Sequence, residues 1–464
     1  MTTSADPRSL SLWFDTLPPG DLEVQRPPLS DVVEADVAIV GGGLTGLWSA
    51  YYLAQADPSL RVVVLEAEVV GFGASGRNGG WCSGLLPLGL DDLAAEAGRD
   101  GAIAMLRAAQ DTVDEVGRVC AAEGIDAQFT KGGYVRFATT PLQVRRLHEA
   151  LAEERAWGQT EEDIRWLDRD ASRARIGADG VFGALWTPHC AAVNPARMVR
   201  GLACVVERLG VIVHEHSRVV SMTSHEVRTE TGVVHARTVV RATEGYTTQL
   251  PGQRRSLLPM SSMVIATEPL PASFWDEVGW RSRDTFNDDR RFLVYAQRTA
   301  DDRIVIGGRG APYRFGSRIT AASDGIASVH DNIRLSLLSF FPQLADAEIT
   351  HRWGGTLGVP RDWWPSVTRD PASGVITAGG YAGDGVALTN LAGRTVAALV
   401  TDAGSPLLNL PWVGHQSPAW EPEPLRWVGI NAGMRLARSI DARELVSGRP
   451  ARRRDALMRR LTGH

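Results

Sequence analysis

An α/β fold, α+β when the whole chain is counted, is what this sequence predicts: a parallel-sheet domain interleaved with a second domain of antiparallel strands. Three observations predict it. An apolar run at 37–40 leads directly into Gly41-x-Gly43-x-x-Gly46, an apolar helix pattern and another apolar run at 61–65. A second glycine turn at 379–385 separates a strand pattern from a helix pattern far along the chain. Between the two lie many short β-branched runs punctuated by turn residues.

The first unit reads strand, turn, helix, strand. Gly41 permits the tight turn, Gly43 lets the backbone approach an anionic group, and Gly46 lets the helix pack close to the sheet. A helix from 44 to about 55, with Leu44 and Thr45 in its first turn, places its positive end at that turn. Asp57-Pro58 stops it. Glu66 closes the second strand, 66 − 46 = 20 residues beyond the last glycine and just before Ala67. An acid there accepts the hydroxyls of an adenosine ribose, so the unit is a Rossmann-like dinucleotide fingerprint rather than a chance glycine turn.

The remaining elements follow in order. Residues 71–89 are rich in glycine and hydroxyls and read as a loop. Ile103, Leu106, Val113 and Val116 recur at helical spacing across 100–123, and Gly124 ends that helix. A strand is expected at 131–138, a helix from Thr140-Pro141 to about 157, and strands at 164–167 and 181–186 around a short helix. Asn194-Pro195 opens another helix as N-cap and first-turn proline; Gly210 ends it before a strand at 211–214. Strands at 218–223, 226–229 and 233–241 come next, with Thr231-Gly232 as a hairpin turn. Residues 258–310 are mostly strands, including 263–267, 292–297 and 303–307, and a helix at 321–340 stops at Pro342. A strand at 375–378 enters the second glycine turn, a helix spans about 388 to 400, and the proline-rich 411–424 leads to an arginine-rich helical tail.

This order assigns 31–90, 190–250 and 350–403 to a discontinuous nucleotide-binding domain. Residues 91–189 and 251–349 form the substrate-binding domain, and 404–464 a linker with a helical C-terminal extension. Ligand sites favour such a boundary.

Composition narrows the function. The 464 residues are 44% hydrophobic and 22% charged, ordinary for a globular protein. A net charge of −5 gives no footing for nucleic acid. Lys131 is the single lysine, leaving 49 − 1 = 48 arginines, so lysine is nearly excluded as a catalytic group. The N-terminal residues show no apolar signal region, and no run reaches the ~18 apolar residues of a membrane span. Cys82, Cys120, Cys190 and Cys204 lack metal-ligand spacing and read as thiols of a reducing cytoplasm; no metal is expected.

Residues 71–80 hold five glycines in ten, which lets backbone N–H groups converge on one object. With the two other glycine turns and the ribose acid, this suits a long flavin dinucleotide better than a compact nicotinamide one. Four stretches carry a likeness. They are Glu66 after its strand, Gly73-Ala74-Ser75-Gly76-Arg77-Asn78-Gly79-Gly80, Ala242-Thr243-Glu244-Gly245-Tyr246, and Gly380-Tyr381-Ala382-Gly383-Asp384-Gly385-Val386. Together they resemble the FAD-dependent amine and D-amino-acid oxidase superfamily, and within it the gamma-glutamylputrescine oxidase-like branch, over about residues 10–403.

The resemblance implies that Gly41, Gly43 and Gly46, with Leu44 and Thr45, hold the FAD pyrophosphate, and Glu66 with Ala67 the adenosine ribose. Gly73, Ala74, Ser75, Arg77, Asn78, Gly79 and Gly80 would line the flavin, Val219 would meet the adenine, and Thr243 would close over the cofactor. Gly383, Gly385 and Val386 would sit by the isoalloxazine, where a helix N-terminus stabilises the reduced anion. Relatives with covalent flavin use a cysteine in the segment matching 353–357, or a histidine near the place of Asn78; this chain has neither, so FAD is expected to be non-covalent. A carboxylate-binding lysine expected near Ala387 is absent, which argues against a simple α-amino acid. A lysine credited with oxygen activation is replaced near 303–305, leaving oxygen or another electron acceptor open.

The implied activity is oxidation of an amine C–N bond: the α-carbon hydride passes to flavin N5, and the imine hydrolyses. The cofactor supplies that chemistry, so no catalytic side chain is assigned. Trp81, Trp353, Trp364 and Tyr381 are candidate aromatic contacts for a small-molecule amine, partly through cation–π attraction, with Asp384 as candidate partner of a cation. Two alternatives stay open, a flavin monooxygenase acting on a nitrogen compound and a non-catalytic flavin-binding protein.

Overall fold

Alternate residues of the strand Val32–Val40 belong to two different hydrophobic cores, which makes it the spine of the molecule. Val37 and Ile39 join Val62, Val64 and Val240 under a layer of helices, whereas Ala38 and Val40 join Val63, Leu65 and Val239 on the opposite face. A strand buried on both faces reads as a continuous apolar run, as seen here. The computed structural model describes residues 6–308, 310–320 and 325–462. Its first sheet runs Ser366–Arg369, Ile376–Gly379, Val233–Arg241, Val32–Val40, Val62–Leu65, Ile212–His214. All these neighbours are parallel except the first pair. The strands Glu226–Thr229 and Val219–Met222 extend it as an antiparallel flap.

The helix Leu44–Ala56 crosses between the two central strands and is apolar almost all round, because further helices, Pro195–Arg208 and Gly385–Thr401, cover it. Gly393 lets Gly385–Thr401 lie flat on it: a Cβ there would stand 2.6 Å from the Trp48 backbone.

The second sheet runs Ile349–Val359, Leu258–Thr267, Ile304–Gly308, Val294–Arg298, Thr285–Asp288, Tyr134–Ala138, Gly183–Thr187, Arg165–Leu167. It is antiparallel except where Thr285–Asp288 meets Tyr134–Ala138. Its core holds Phe137, Phe286, Trp280 and Phe341 beneath the helix Ala327–Phe340.

The structure departs from the sequence reading in three places. Ile349–Val359 pairs along its length with Leu258–Thr267, so residues 350–359 belong to the second sheet and not to the cofactor half assigned from 350 onward. Gly354, Gly355 and Gly358 interrupt the apolar alternation that would have revealed this strand. Within the expected loop 71–89, Trp81–Ser83 is a short strand paired with Cys190–Ala192. The helix expected from 100 begins at Leu90, with a break at Gly98 (φ 72°), because Leu90 and Leu93 reach the main core. The expected helix start at Ala321 lies outside the described residues.

Both chain ends pack on this frame. Phe14 is fully buried against the 71–76 turn, and the C-terminal helices Leu425–Ser447 and Arg452–Thr462 follow the proline-rich connection. Arg426 is buried and donates to the Arg254 carbonyl (2.8 Å); Trp420 Nε1 donates to the Val359 carbonyl (2.8 Å). Among the described residues no helix is long and apolar enough to cross a membrane.

Gly393→Val should cost about 1–3 kcal/mol by prying the two helices apart. The check is a lower urea midpoint with unchanged slope.

Candidate functional site

One cavity of about 490 Å³ runs from the end of Val62–Leu65, past both glycine turns, to the second sheet. At its first end Glu66 Oε2 accepts the Gly42 N–H (2.8 Å) and Oε1 the Glu68 N–H (2.9 Å). Burial pushes this carboxyl up to about 7, against the pull of those two N–H groups. Ala67 and Val219 line the same end. Gly41 adopts φ 114°, and a Cβ there would stand 2.4 Å from the Ala242 carbonyl. The helix Leu44–Ala56 therefore starts at the cavity wall through Gly43, Leu44 and Thr45, with no side-chain cap from Gly43. A helix N-terminus left in this way is an anion site.

The loop after Glu66 is held on both sides. Ser75 Oγ accepts the Leu44 N–H (2.9 Å), and Asn78 Nδ2 donates to the Ala74 carbonyl (3.0 Å) while its Oδ1 accepts the Gly80 N–H (2.7 Å). Arg77 is spent inside the protein: it donates to the Phe72 carbonyl (2.8 Å), the Gly354 carbonyl (3.4 Å) and Tyr246 OH (2.8 Å). From outside, Ser11 Oγ donates to the Gly76 carbonyl (2.8 Å), Trp353 Nε1 to that of Arg77 (2.9 Å) and Trp13 Nε1 to that of Asn78 (2.8 Å). Gln297 Nε2 donates to the carbonyls of Gly79 (2.8 Å) and Gly80 (3.0 Å).

The second glycine turn closes the middle. Tyr381 shares a hydrogen bond with Thr45 (3.1 Å), so the two turns touch. Glu244 accepts the N–H groups of Gly380 (3.0 Å) and Tyr381 (3.3 Å), and burial pushes it up to about 7 against these and the Gly358 N–H. Gly383, Gly385 and Val386 line the cavity at the start of Gly385–Thr401, opposite Thr243.

The far end is built by the second sheet and the strand Trp81–Ser83. Trp81 and Tyr295 meet edge to face (5.9 Å, 76°), and Tyr295 shares a hydrogen bond with Ser262 (2.8 Å). Tyr134 packs on Trp81 (5.4 Å) and donates to Asn287 Oδ1 (2.8 Å). Met260, Leu293 and Asp384 also line the cavity. Asp384 lies near Cys190, adding to the rise that burial chiefly imposes on that thiol. Trp81 Nε1 and Thr356 Oγ1, both on lining residues, are buried without a hydrogen-bond partner among the described residues.

Most residues singled out from sequence therefore meet in one cavity: Gly41, Gly43, Leu44, Thr45, Glu66, Ala67, Gly73, Ala74, Ser75, Arg77, Asn78, Gly79, Val219, Thr243, Gly383, Gly385 and Val386, with Trp81, Tyr381 and Asp384. Four do not line it. Gly46 stands behind the first turn, where a Cβ would be 2.0 Å from the Gly41 carbonyl, and Gly80 is pressed against Gln297 and Val193. Trp353 packs on Trp13 (6.2 Å) behind the loop, and Trp364 stacks on His415 (4.5 Å). Their aromatic surface serves packing. Arg303 and Val305 also lie away from the cavity: Arg303 pairs with Asp301 (2.8 Å) and Val305 is buried beside Trp13. Ala387 is core. Sequence reasoning missed Met260, Ser262, Asn287, Leu293 and Tyr295 as lining residues, since each sits in an ordinary strand or turn pattern. It quoted Glu244 and Tyr246 without assigning them to the site. Among the described residues no acid, histidine or cysteine cluster could hold a metal.

A family model described as FAD dependent oxidoreductase (DAO) matches residues 36–399. A probable oxidoreductase OrdL of Haemophilus influenzae is 31% identical over 398 residues, covering 83% of this chain and 87% of that protein. The gamma-glutamylputrescine oxidoreductase of Escherichia coli is 31% identical over 384 residues, covering 80% and 85%. Among solved structures, glycine oxidase from Geobacillus kaustophilus superposes with a TM-score of 0.68 at 21% identity, covering 83% of this chain and 100% of that one.

Glu66 and Glu244 bind protons more tightly folded than unfolded. Their contribution to the stability of the cofactor-free chain should therefore be greatest below about pH 4.5, fall as pH rises to about 7, and level off above. Urea unfolding between pH 5 and 8 measures this, and Glu66→Gln or Glu244→Gln should each flatten the slope.

Proposed function

This chain belongs to the FAD-dependent oxidoreductase (DAO) family, and from that premise we propose that it oxidises the C–N bond of a small-molecule amine. The observation that carries the proposal is a single cavity with two unlike ends: backbone and carboxylate groups at one, an aromatic wall at the other. FAD, when bound, supplies the oxidising chemistry, taking a hydride equivalent from the α-carbon and leaving an imine that water hydrolyses to a carbonyl and an amine.

The fit supports this placement. Two helix N-termini, those of Leu44–Ala56 and Gly385–Thr401, converge on the cavity and favour the negative pyrophosphate and the electron-rich edge of a reduced flavin. Glu66 keeps unused acceptor capacity for ribose hydroxyls after taking two N–H groups. Ala74, Ser75, Asn78 and Gly79 give the flavin a wall with few side-chain atoms. None of the four cysteines and no histidine lines the cavity among the described residues, which supports non-covalent FAD. Trp81, Tyr295 and Met260 exclude water and orient the amine against the flavin. Three buried, unpaired thiols accord with a cytoplasmic location.

Anaerobic mixing of the purified yellow protein with a panel of amines should bleach the flavin absorbance. Persistence of the oxidised spectrum with every amine would overturn the proposal, and reoxidation by air against a dye then identifies the acceptor class. Glu66→Ala should weaken FAD binding roughly 10–100-fold by removing the ribose acceptor, with the far-ultraviolet dichroism unchanged. An unaltered dissociation constant would refute that contact.

A further inference from the structure

We infer that Trp363 limits how bulky an amine this cavity accepts, and that the C-terminal extension holds its indole in place; the inference rests on the amine reading above. Trp363 lines the cavity and is half-buried. It packs in one cluster with Met260, Leu357 and Ala382, three further lining residues. Met260 and Leu357 are partners in the ladder of the second sheet, so the indole stands against the half of the cavity assigned to the amine. A ring of that size at the wall fills space that a larger ligand would need.

The backbone of Trp363 and its supports carry the argument further. Its φ of 60° is in the left-handed region, which a bulky side chain avoids. Its N–H donates to the Pro360 carbonyl (3.2 Å), and Pro360 lies on the second glycine turn, where a Cβ on Gly380 would stand 2.6 Å from it. Such a conformation persists where the surroundings over-determine it, and it clusters at functional sites. Here both flanking residues are fixed by His415: its Nε2 bonds Asp362 Oδ2 (2.8 Å), and its ring stacks on Trp364 (4.5 Å). Asp362 Oδ1 also accepts the Trp364 N–H (3.2 Å). Arg361 pairs with Glu421 (3.0 Å) and lies over the Trp420 ring (5.2 Å), while Trp420 and Ile430 join the cluster of Trp363 itself. His415, Trp420, Glu421 and Ile430 all follow residue 399, where the family match ends. The two sheets build the cavity, and the extension sets one of its walls.

A slim and a bulky amine, butylamine and 2-naphthylmethylamine, test this on the holoenzyme. The readouts are the shift of the flavin absorbance on anaerobic titration and the rate of flavin reduction in stopped flow. Each bulky-to-slim preference is taken within one protein, so it does not depend on how much of a variant folds or holds FAD. Trp363→Gly vacates the wall with a residue that accepts φ 60°, and should raise the preference for the bulky amine about tenfold. Trp363→Phe keeps a smaller ring, should raise it about threefold, and decides alone if the glycine variant does not fold. A preference unchanged or lowered overturns the inference while leaving the amine reading intact. His415→Ala should tighten the dissociation constant of the naphthyl amine with the limiting reduction rate for butylamine unchanged; an unmoved preference removes the extension from the inference. A spectral shift without reduction counts against the amine reading alone, because the dissociation constants still decide for Trp363. Neither shift nor reduction, with these two amines and the wider panel, overturns both.

Discussion

The carbonyls of Gly76, Arg77, Asn78, Gly79 and Gly80 are all held from outside the loop by side-chain donors: Ser11, Trp353, Trp13 and Gln297. The rest of the cavity depends on this constraint. In a trans peptide the C=O and the following N–H point in opposite directions, so fixing a carbonyl also fixes the donor beyond it. Trp13 on the Asn78 carbonyl thus turns the Gly79 N–H away from itself. A loop of glycines carries a large entropic cost of ordering, and this one is ordered by donors from the N-terminal segment and two strands of the second sheet. The site is therefore pre-shaped by groups that never reach it.

Glu66 and Glu244 extend the same logic. Each is a buried carboxylate that accepts backbone N–H groups from distant segments, Glu66 joining the first turn and Glu244 joining the second turn to the second sheet. Burial raises both, yet the N–H donors offset part of that cost.

The amine end shows why a second sheet is needed. Its alternating strands turn Met260, Ser262 and Tyr295 into the cavity while their neighbours Met263, Val294 and Ala296 fill the core behind. The C-terminal extension supports the same region, with Asp441 accepting the N–H groups of Arg291 (3.1 Å) and Phe292 (2.9 Å) beside Leu293.

Local pattern was enough to read the first strand–turn–helix–strand unit, the ribose acid Glu66, the second glycine turn and most helices, because each is specified within ten or twenty residues by turn chemistry and apolar period. The glycine-interrupted strand Ile349–Val359 was not legible, since its identity comes from pairing with Leu258–Thr267 and not from its own alternation. Nor could the tryptophans be sorted: Trp81 reaches the cavity, while Trp353 and Trp364, set in similar aromatic stretches, are packing groups facing Trp13 and His415. Sequence alone determined which cofactor chemistry this chain is built for, because backbone-lined phosphate and ribose sites need particular residues at fixed spacing. Only the tertiary structure decided what faces the substrate, because that wall is assembled from side chains more than two hundred residues apart whose direction is set by sheet register.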